Sequence, residues 1–313
     1  MVSRLLEDYA GEEPLLNREL ARLYNACRCD EPWSQRSMDV EDVRDMFASS
    51  WFEKGMVAVV VIGERAAGYS WVWKTRGGLE ASLCIDPALP PWSRHEVGHQ
   101  LLRWIRRRLD AVGGRGRVSI WGGYRYGYIY TSLCNLLNTY VVKHSSTLMK
   151  FGGRIVEVEP PKNCRIVEMG EVPAEVLKSI VDVHNDAFSR YEWHTPWSVE
   201  DARRYFAKKK PKLFLALVDE EVVGYAEILP FRAVDGRTSV EVTVLAVKSK
   251  YQGRGIGKAL LSKATSYLER SGMADRAFLV SVAGLESFYR KLGFIPWRES
   301  VRFIVPASSI PLI

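Results

Sequence analysis

The sequence is poor in several residue types, and each shortage excludes a kind of protein. Its five cysteines are an odd number without paired metal-ligand spacing, which argues against a disulfide framework or a zinc module. Of the five histidines, His95 and His99 share a helix face, but no third ligand accompanies them. We therefore predict no metal. The longest apolar run, residues 56–62, is far shorter than the roughly 20 residues of a membrane-spanning helix, so no membrane contact is expected.

The beginning of the chain and its charge narrow the class further. The first residues lack the basic and then apolar pattern of a signal peptide, and we expect a cytoplasmic protein. The formal net charge is +7. Nucleic acid is not the expected partner, because a charge run is usually a solvated face and nucleic-acid binding would want interleaved aromatic residues on a recognisable module. A positive net charge of this size also suits a protein that binds a polyanionic cofactor.

Internal repetition is the most informative feature of the chain. Landmarks of the first half recur in the same order about 160 residues later, although the last pair is more closely spaced. Two pairs read as helices, one as a strand hairpin and one as the start of a long amphipathic helix. The pairs are residues 23–27 with 183–187, 39–47 with 198–206, 57–72 with 213–228, 97–102 with 256–261, and 150–152 with 291–293.

The repeat predicts two tandem domains of one kind. The adjacent Pro160 and Pro161 indicate a short, stiff linker, so we place the domains at residues 1–160 and 161–313. Each half contains helices, a strand pair, a third strand, a helix and further strand–helix elements. This order predicts a mixed α/β (α+β) domain with a mostly antiparallel sheet flanked by helices.

A glycine-containing loop in the second half carries the clearest chemistry. A strand is followed by Gly253, Gly255 and Gly257 and then by an amphipathic helix. Glycines let backbone N–H groups converge on one point, and the helix N-terminus adds positive potential there. Arg254 and Lys258 can approach phosphate oxygens at the same place. The spacing fits neither the dinucleotide-binding motif nor the phosphate-binding P-loop, but it predicts an anion-binding loop.

The pattern Gln252-x-x-Gly255-x-Gly257 resembles the cofactor-binding motif of the GCN5-related N-acetyltransferase (GNAT) superfamily, and residues 288–294 are similar to a second block of that family. The resemblance covers roughly residues 165–303 and implies acetyl-CoA as co-substrate. It implies that a strand end offers backbone groups to the pantetheine arm and that loop amides hold the pyrophosphate. The implied binding residues are Leu245, Ala246, Val247, Gln252, Gly253, Arg254, Gly255, Ile256, Gly257 and Lys258.

The same resemblance implies general acid–base catalysis. Tyr289 stands where the family often has the acid that protonates the departing thiolate, the alternative being a packing role. Glu241 stands where the histone-acetylating branch places its base, the alternative being a solvent-facing strand residue. Glu227 on the preceding strand is the rival base, and water is a further possibility. Val282 departs from the family, many members of which carry asparagine at that position.

The first half lacks these features. In residues 94–98 only Gly98 remains of the three glycines, and Glu96 would place a negative charge beside a phosphate. The tyrosine position falls on Leu148 and the base position near Leu79. We therefore expect a non-catalytic domain in which Gly98 serves close helix–strand packing. The tandem arrangement resembles the architecture of the mycothiol synthases, which does not by itself imply their chemistry.

The predicted function is acetyl-CoA-dependent transfer of an acyl group to a primary amine of a small molecule or peptide. Two alternatives remain: an acyl-CoA-binding regulatory module without turnover, and a basic nucleic-acid-binding protein. The segment 189–197 is a candidate lining of the acceptor site, although its aromatic residues would also suit packing; they are Tyr191, Trp193, His194 and Trp197.

Overall fold

The computed structural model describes residues 3–49, 52–75, 78–111, 116–191 and 194–310. The chain forms two compact units. The first consists of Met1–Ser145, Ala233–Gly236 and Glu299–Ile313, and the second of Ser146–Arg232 and Arg237–Arg298. This division differs from the predicted boundary after residue 160.

Each half begins with a strand that the sequence did not predict, and then follows the predicted order of helices, a strand pair, a third strand, a helix and further strand–helix elements. Up to the middle of the chain they are β1 (Ser3–Leu6), α1 (Pro14–Ala26), α2 (Val40–Phe47), β2 (Val57–Ile62), β3 (Arg65–Thr75), β4 (Gly78–Ile85), α3 (Pro91–Ala111), β5 (Arg117–Tyr124), α4 (Tyr128–Leu136) and β6 (Val141–Phe151). The remainder are β7 (Cys164–Met169), α5 (Ala174–Phe188), α6 (Val199–Lys209), β8 (Lys212–Val218), β9 (Glu221–Arg232), β10 (Thr238–Val247), α7 (Ile256–Arg270), β11 (Ala277–Val282), α8 (Glu286–Arg290) and β12 (Phe294–Pro306).

The sheet of the first unit has the strand order β1-β2-β3-β4-β5-β12 in the described residues. Its pairs are antiparallel except for the parallel pair of β4 and β5. The strand next to β5 is β12, far along the chain, because residues 300–306 of β12 pair with residues 117–124. The first half of the sequence therefore does not complete its own sheet.

The second unit has the order β7-β8-β9-β10-β11-β6 over the same described part of the chain. Only β10 and β11 pair in parallel. Residues 146–150 of β6 pair antiparallel with residues 278–282 of β11. The predicted fold class, a mixed and mostly antiparallel sheet flanked by helices, is confirmed in both units.

Local sequence explains where the corresponding helices begin. In α2 the side chain of Asp39 accepts a hydrogen bond from the Asp42 N–H, and Asp42 reaches back to the Asp39 N–H. Ser198 and Asp201 form the same capping box at α6. Each box satisfies backbone donors that the first helical turn leaves unpaired.

Helices cover both faces of the sheet in the second unit. On one face α5 and α6 pack their apolar residues, among them Ile180 and Phe206, against Leu213 and Tyr225. On the other face α7 buries Leu260, together with Leu261, Ala264 and Leu268, against β8, β9 and β10. Burial of this apolar area is the main force that holds the helices on the sheet.

Four of the five landmark pairs lie on corresponding elements, namely α1 with α5, α2 with α6, the hairpin β2–β3 with β8–β9, and α3 with α7. The fifth pairing is wrong. Lys150 lies within strand β6, whereas Lys291 follows the last turn of α8. Among the described helices, none is both long and apolar enough to cross a bilayer.

Candidate active site

The strands β10 and β11 separate at the centre of the second unit. They pair only at Val240 with Ala277 and at Glu241 with Phe278. Just beyond, the register of β10 on β9 shifts between Val242 and Val244, which marks a β-bulge. The predicted residues 245–247 follow the bulge, on a strand edge that has no strand partner within the described residues. This edge offers backbone donors and acceptors to an extended ligand.

The loop after β10 presents backbone N–H groups rather than side chains. Gly253 and Gly255 have φ angles of +78° and +88°, which side-chain-bearing residues rarely adopt. A Cβ atom at either glycine would meet nothing within 4 Å, so open space lies in front of both. Gly255 is also the N-cap residue of α7, where no side chain caps the helix and the first turn carries no acid. The N-terminus of α7, unlike those of α2 and α6, is therefore available to an anion.

The remaining predicted loop residues surround this N-terminus. The Gln252 side chain donates to the Val247 carbonyl at 2.9 Å and closes the loop. Ile256 is buried, while Arg254 and Lys258 are exposed. A Cβ atom at Gly257 would lie 3.7 Å from Val247 and 3.8 Å from Phe288, so α7 packs closely on the strand end and on α8.

Glu221, which the sequence did not indicate, accepts hydrogen bonds from residues of the loop. Its carboxylate accepts hydrogen bonds from Lys248 Nζ at 2.7 Å, Tyr251 Oη at 3.0 Å and Lys250 Nζ at 3.2 Å. These bonds, with Lys248 the largest contributor, lower the pKa of Glu221 to about 2. Glu221 precedes these residues by more than a strand in the sequence, so no local pattern could have identified it.

Tyr289 lies on the short helix α8, half-buried beside Phe288. The centroids of the two rings are 5.1 Å apart, and Phe294 lies 6.4 Å away. Burial, with a smaller contribution from Tyr191, raises the pKa of Tyr289 to about 12. The phenol is therefore protonated near neutral pH and can donate a proton. Tyr191 belongs to the predicted acceptor segment, and Trp193 of that segment lies outside the described residues.

The two candidate bases differ in burial. Glu227 is 0% exposed, and its Oε1 atom accepts hydrogen bonds from Tyr205 Oη and Thr243 Oγ1, both at 2.5 Å. Its Oε2 atom is buried without a hydrogen-bond partner among the described residues. Burial raises the pKa of Glu227, and the two hydrogen bonds partly oppose this. Glu241 is half-exposed on β10.

An aromatic group packs beside Glu227. His184 is hydrogen-bonded through Nδ1 to the Tyr225 hydroxyl at 2.7 Å and stacks on Trp197, with centroids 4.3 Å apart. Burial, assisted by His194, lowers the pKa of His184 to about 4, so the ring is neutral at physiological pH. Trp197 also contacts Tyr205, which links this aromatic group to the carboxylate.

The first unit lacks the corresponding backbone geometry. Strand β4 pairs with β3 through eight residues without a register shift. Helix α3 begins at Pro91, so residues 94–98 are helical and do not form a loop. The carbonyl of Ile85, at the end of β4, accepts hydrogen bonds from Tyr128 Oη at 2.9 Å and Cys27 Sγ at 3.2 Å. The last carbonyl of β4 thus already accepts hydrogen bonds from side chains of the protein.

Two expectations for the first half have different outcomes. A Cβ atom at Gly98 would lie 2.5 Å from Leu136 on α4 and 3.1 Å from Ile85 on β4, so the role of Gly98 in close packing is confirmed. The expectation that Leu148 replaces the tyrosine is wrong, because Leu148 lies in β6 opposite Val280 of β11. Residues 150–152 are thus similar to part of residues 288–294 in sequence but not in secondary structure.

A cavity of about 230 Å³ lies in the first unit between α3 and α4. Its lining includes Arg94, Tyr128, Thr131 and Ser132. The hydroxyls of Tyr128, Thr131 and Ser132 already donate to backbone carbonyls. Over the described ranges, no group of three or more His, Cys, Asp or Glu side chains is placed to hold a metal ion.

Comparison with known proteins relates this geometry to one family. Residues 177–294 match the model of the Acetyltransferase (GNAT) family, and this segment contains the anion-binding loop, both carboxylates and Tyr289. A mycothiol acetyltransferase from Renibacterium salmoninarum is 29% identical over 101 residues. That match spans 31% of this chain and 30% of the length of the relative.

Solved structures share the fold over nearly the whole chain. A GCN5-related N-acetyltransferase from Sphaerobacter thermophilus has a TM-score of 0.62 at 18% identity, covering 99% of this chain and 97% of that one. A tandem GNAT protein from the clavulanic acid biosynthesis pathway has a TM-score of 0.64 at 13% identity, covering 98% and 99%. Residues 177–294 are thus similar to the GNAT family, and the fold of the chain is like that of solved tandem GNAT proteins.

Proposed function

We propose that the protein is an acetyl-CoA-dependent N-acetyltransferase whose second unit acylates a primary amine of a small molecule or peptide. The observation that carries this proposal is the uncapped N-terminus of α7 beside the separated strands β10 and β11. The N-terminus of α7 fits a pyrophosphate, and the separated strand edge fits the extended pantetheine arm. The two features follow each other along the chain.

The residues present fit acetyl-CoA, which supplies the acetyl group as a thioester when bound. The amides of residues 252–258 would hold the pyrophosphate, because several N–H groups and the helix dipole act at one point. Exposed Arg254 and Lys258 would add charge-assisted hydrogen bonds. The edge of residues 245–247 would bond the pantetheine amides, since it has no strand partner in the described chain.

Glu227 and Glu241 are the candidate general bases of this mechanism. An amine must lose a proton to attack a carbonyl carbon, and a carboxylate accepts that proton best when its pKa approaches neutrality. Burial raises the pKa of Glu227, and its Oε2 atom has no hydrogen-bond partner within the described residues. We therefore propose Glu227 as the base in preference to Glu241.

Tyr289 is the proposed general acid. Its raised pKa keeps the phenol protonated, so the hydroxyl can give its proton to the departing sulfur. We propose that the first unit is non-catalytic, since its helix α3 begins before the position of the glycine loop.

The test is binding of acetyl-CoA to a variant of the loop. Gly255→Asp adds bulk and negative charge at the α7 N-terminus and should abolish binding measured by calorimetry. Gly272→Asp is the matched control, because Gly272 has a φ of +69° with open space around it and lies at the other end of α7. Undiminished affinity in Gly255→Asp would refute the binding site.

Turnover is tested separately, by release of free thiol from acetyl-CoA with spermidine, glucosamine, 2-phenylethylamine and a lysine peptide as acceptors. Tight binding without thiol release from any amine would favour the regulatory module. Binding of duplex DNA in place of acetyl-CoA, with an affinity that falls steeply with salt, would favour the nucleic-acid alternative.

A further inference from the structure

The helix that carries Tyr289 is short and depends on its surroundings for its orientation. It has five residues and no side-chain cap at Leu285. A helix of this length is not stable by itself, because nucleation costs more than its few hydrogen bonds return. The N–H of Tyr289 reaches the Leu285 carbonyl only at 3.4 Å. The direction of the Tyr289 hydroxyl is therefore set by tertiary contacts.

One such contact comes from strand β6. The hydroxyl of Thr147 donates to Glu286 Oε1 at 2.9 Å, and the N–H of Gly284 donates to Glu286 Oε2 at 2.9 Å. Glu286 is the first residue of α8, one turn before Tyr289. Thr147 is 4% exposed and lies opposite Ser281 of β11, so its own position is fixed by the sheet. The carboxylate thus ties the start of α8 to a rigid strand.

A second contact runs through aromatic rings. Phe151, the last residue of β6, packs on Phe294 with centroids 5.3 Å apart, and Phe294 packs on Tyr289 at 6.4 Å. The N–H of Gly152 donates to the Gly293 carbonyl at 2.8 Å, next to this stack. Both ends of α8 therefore rest on the segment 147–152, which lies far from it in the sequence.

We propose that Thr147 is a positioning residue for the acid Tyr289, acting through the Glu286 carboxylate at the start of α8. The inference rests on the proposed role of Tyr289. Removing the Thr147 hydroxyl takes this donor away from the half-buried Glu286 carboxylate and loosens the first turn of α8. The phenol then reaches the leaving sulfur less often, while the loop of residues 252–258 keeps the hydrogen bonds that hold it, from Gln252 to the Val247 carbonyl and from Tyr251 to Glu221.

The experiment is a double-mutant cycle in single-turnover acetyl transfer, with acetyl-CoA and the most reactive of the four amines above. Thr147→Val should lower the rate roughly tenfold or more, because misplacement of a reacting group by about 1 Å is this costly. Thr147→Ser, which restores the hydroxyl, should recover most of the rate. Acetyl-CoA affinity should change by no more than about twofold.

The decisive measurement is the same substitution in the Tyr289→Phe background. If Thr147 acts through the phenol, Thr147→Val should cost nothing further there, whereas a purely structural effect would add to the loss from Tyr289→Phe. Additive losses, or a normal rate in the single variant, would overturn the inference. A normal rate in Tyr289→Phe would instead overturn the proposed acid.

Ser281→Ala is the matched control. Ser281 is buried directly opposite Thr147, but its hydroxyl donates to the carbonyl of Val282 and not to α8. It should retain the wild-type rate, and a tenfold loss there would show that any buried hydroxyl at this point matters, which contradicts the proposal. If Thr147→Val does not fold, Glu286→Gln takes its place in the cycle with the same expected non-additivity.

Discussion

At the scale of single residues, burial distinguishes the two candidate bases, Glu227 and Glu241. Glu227 has no exposed surface, and it is opposite Val244 on β10, just after the bulge. A charged carboxylate loses hydration when it is buried, so its protonated form is favoured and its pKa rises. The burial that raises the pKa of Glu227 is the reason that we propose it as the base.

We predict that Glu227→Gln lowers kcat/KM at least tenfold near neutral pH, because the variant cannot take the ammonium proton. For the wild type, kcat/KM should fall as the pH falls through the raised pKa, above the ordinary glutamate value of about 4.3. The rate of the variant should recover partly at high pH, where free amine is abundant. The measurement is a pH profile with amines of different pKa.

Glu241→Gln is the control for this profile. If Glu241→Gln shows the loss and the recovery while Glu227→Gln does not, the assignment of the base is reversed. If neither variant shows them, the proton leaves through water.

Tyr289→Phe keeps the ring and removes the hydroxyl. We predict that turnover falls by roughly 10²–10⁴-fold with acetyl-CoA affinity nearly unchanged. Because the pKa of Tyr289 is about 12, the wild-type rate should show no loss from its ionisation at mildly alkaline pH. Single-turnover rates and calorimetry measure the two quantities, and a rate equal to wild type would make Tyr289 a packing residue.

His184 should titrate far below an ordinary histidine. Its folded pKa of about 4 lies below the unfolded value of about 6.5, so protonation favours the unfolded chain. The stability that His184 contributes is present above about pH 6.5 and is lost as the pH falls toward 4. NMR titration of the five histidines measures this directly, and a His184 pKa near 6.5 would contradict the buried, neutral ring.

At the scale of elements, the two units differ in where one helix begins. Helix α7 starts after the glycine loop with Gly255 as its N-cap, whereas α3 starts at Pro91 and takes residues 94–98 into its first turns. The N–H of Arg94 accordingly bonds the Pro90 carbonyl at 3.0 Å. The same sequence landmarks thus give a glycine loop before the helix in one unit and an ordinary helix in the other.

This difference predicts a single acetyl-CoA site per chain. Calorimetry should give a stoichiometry of one, and Gly255→Asp should remove all binding rather than half of it. Arg94→Glu, which changes the charge at the corresponding place in α3, should leave the stoichiometry and affinity unaltered. Residual binding of a second equivalent in Gly255→Asp would show that the first unit also binds the co-substrate.

At the scale of the whole molecule, each unit includes a strand from the other half of the sequence. Residues 146–150 pair with β11 in the second unit, and residues 300–306 pair with β5 in the first. A chain cut at the predicted linker therefore leaves two fragments that each lack one strand of their sheet and expose unpaired backbone groups.

We predict that fragments 1–160 and 161–313 do not fold when they are expressed separately, and that co-expression restores acetyl-CoA binding. Circular dichroism and solubility report folding, and calorimetry reports binding. A fragment 161–313 that folds by itself and binds acetyl-CoA would show that β6 is dispensable, against the role proposed here for Thr147.

Local sequence determined the features that depend on residues a few positions apart. Capping boxes, hairpins and the glycine loop were predictable, because a cap, a turn or a left-handed glycine is set by its immediate neighbours. The first four landmark pairs were predictable for the same reason, since each repeats a local pattern of apolar and capping residues.

The tertiary structure decided everything that joins distant parts of the chain. Only the folded sheet shows that Glu227 is buried while Glu241 is half-exposed, that Glu221 supports the loop, and that Thr147 holds the helix of Tyr289. The exchange of strands β6 and β12 was likewise invisible in the sequence. These two strand pairings join residues more than a hundred positions apart, and no local propensity encodes which partner a strand will find.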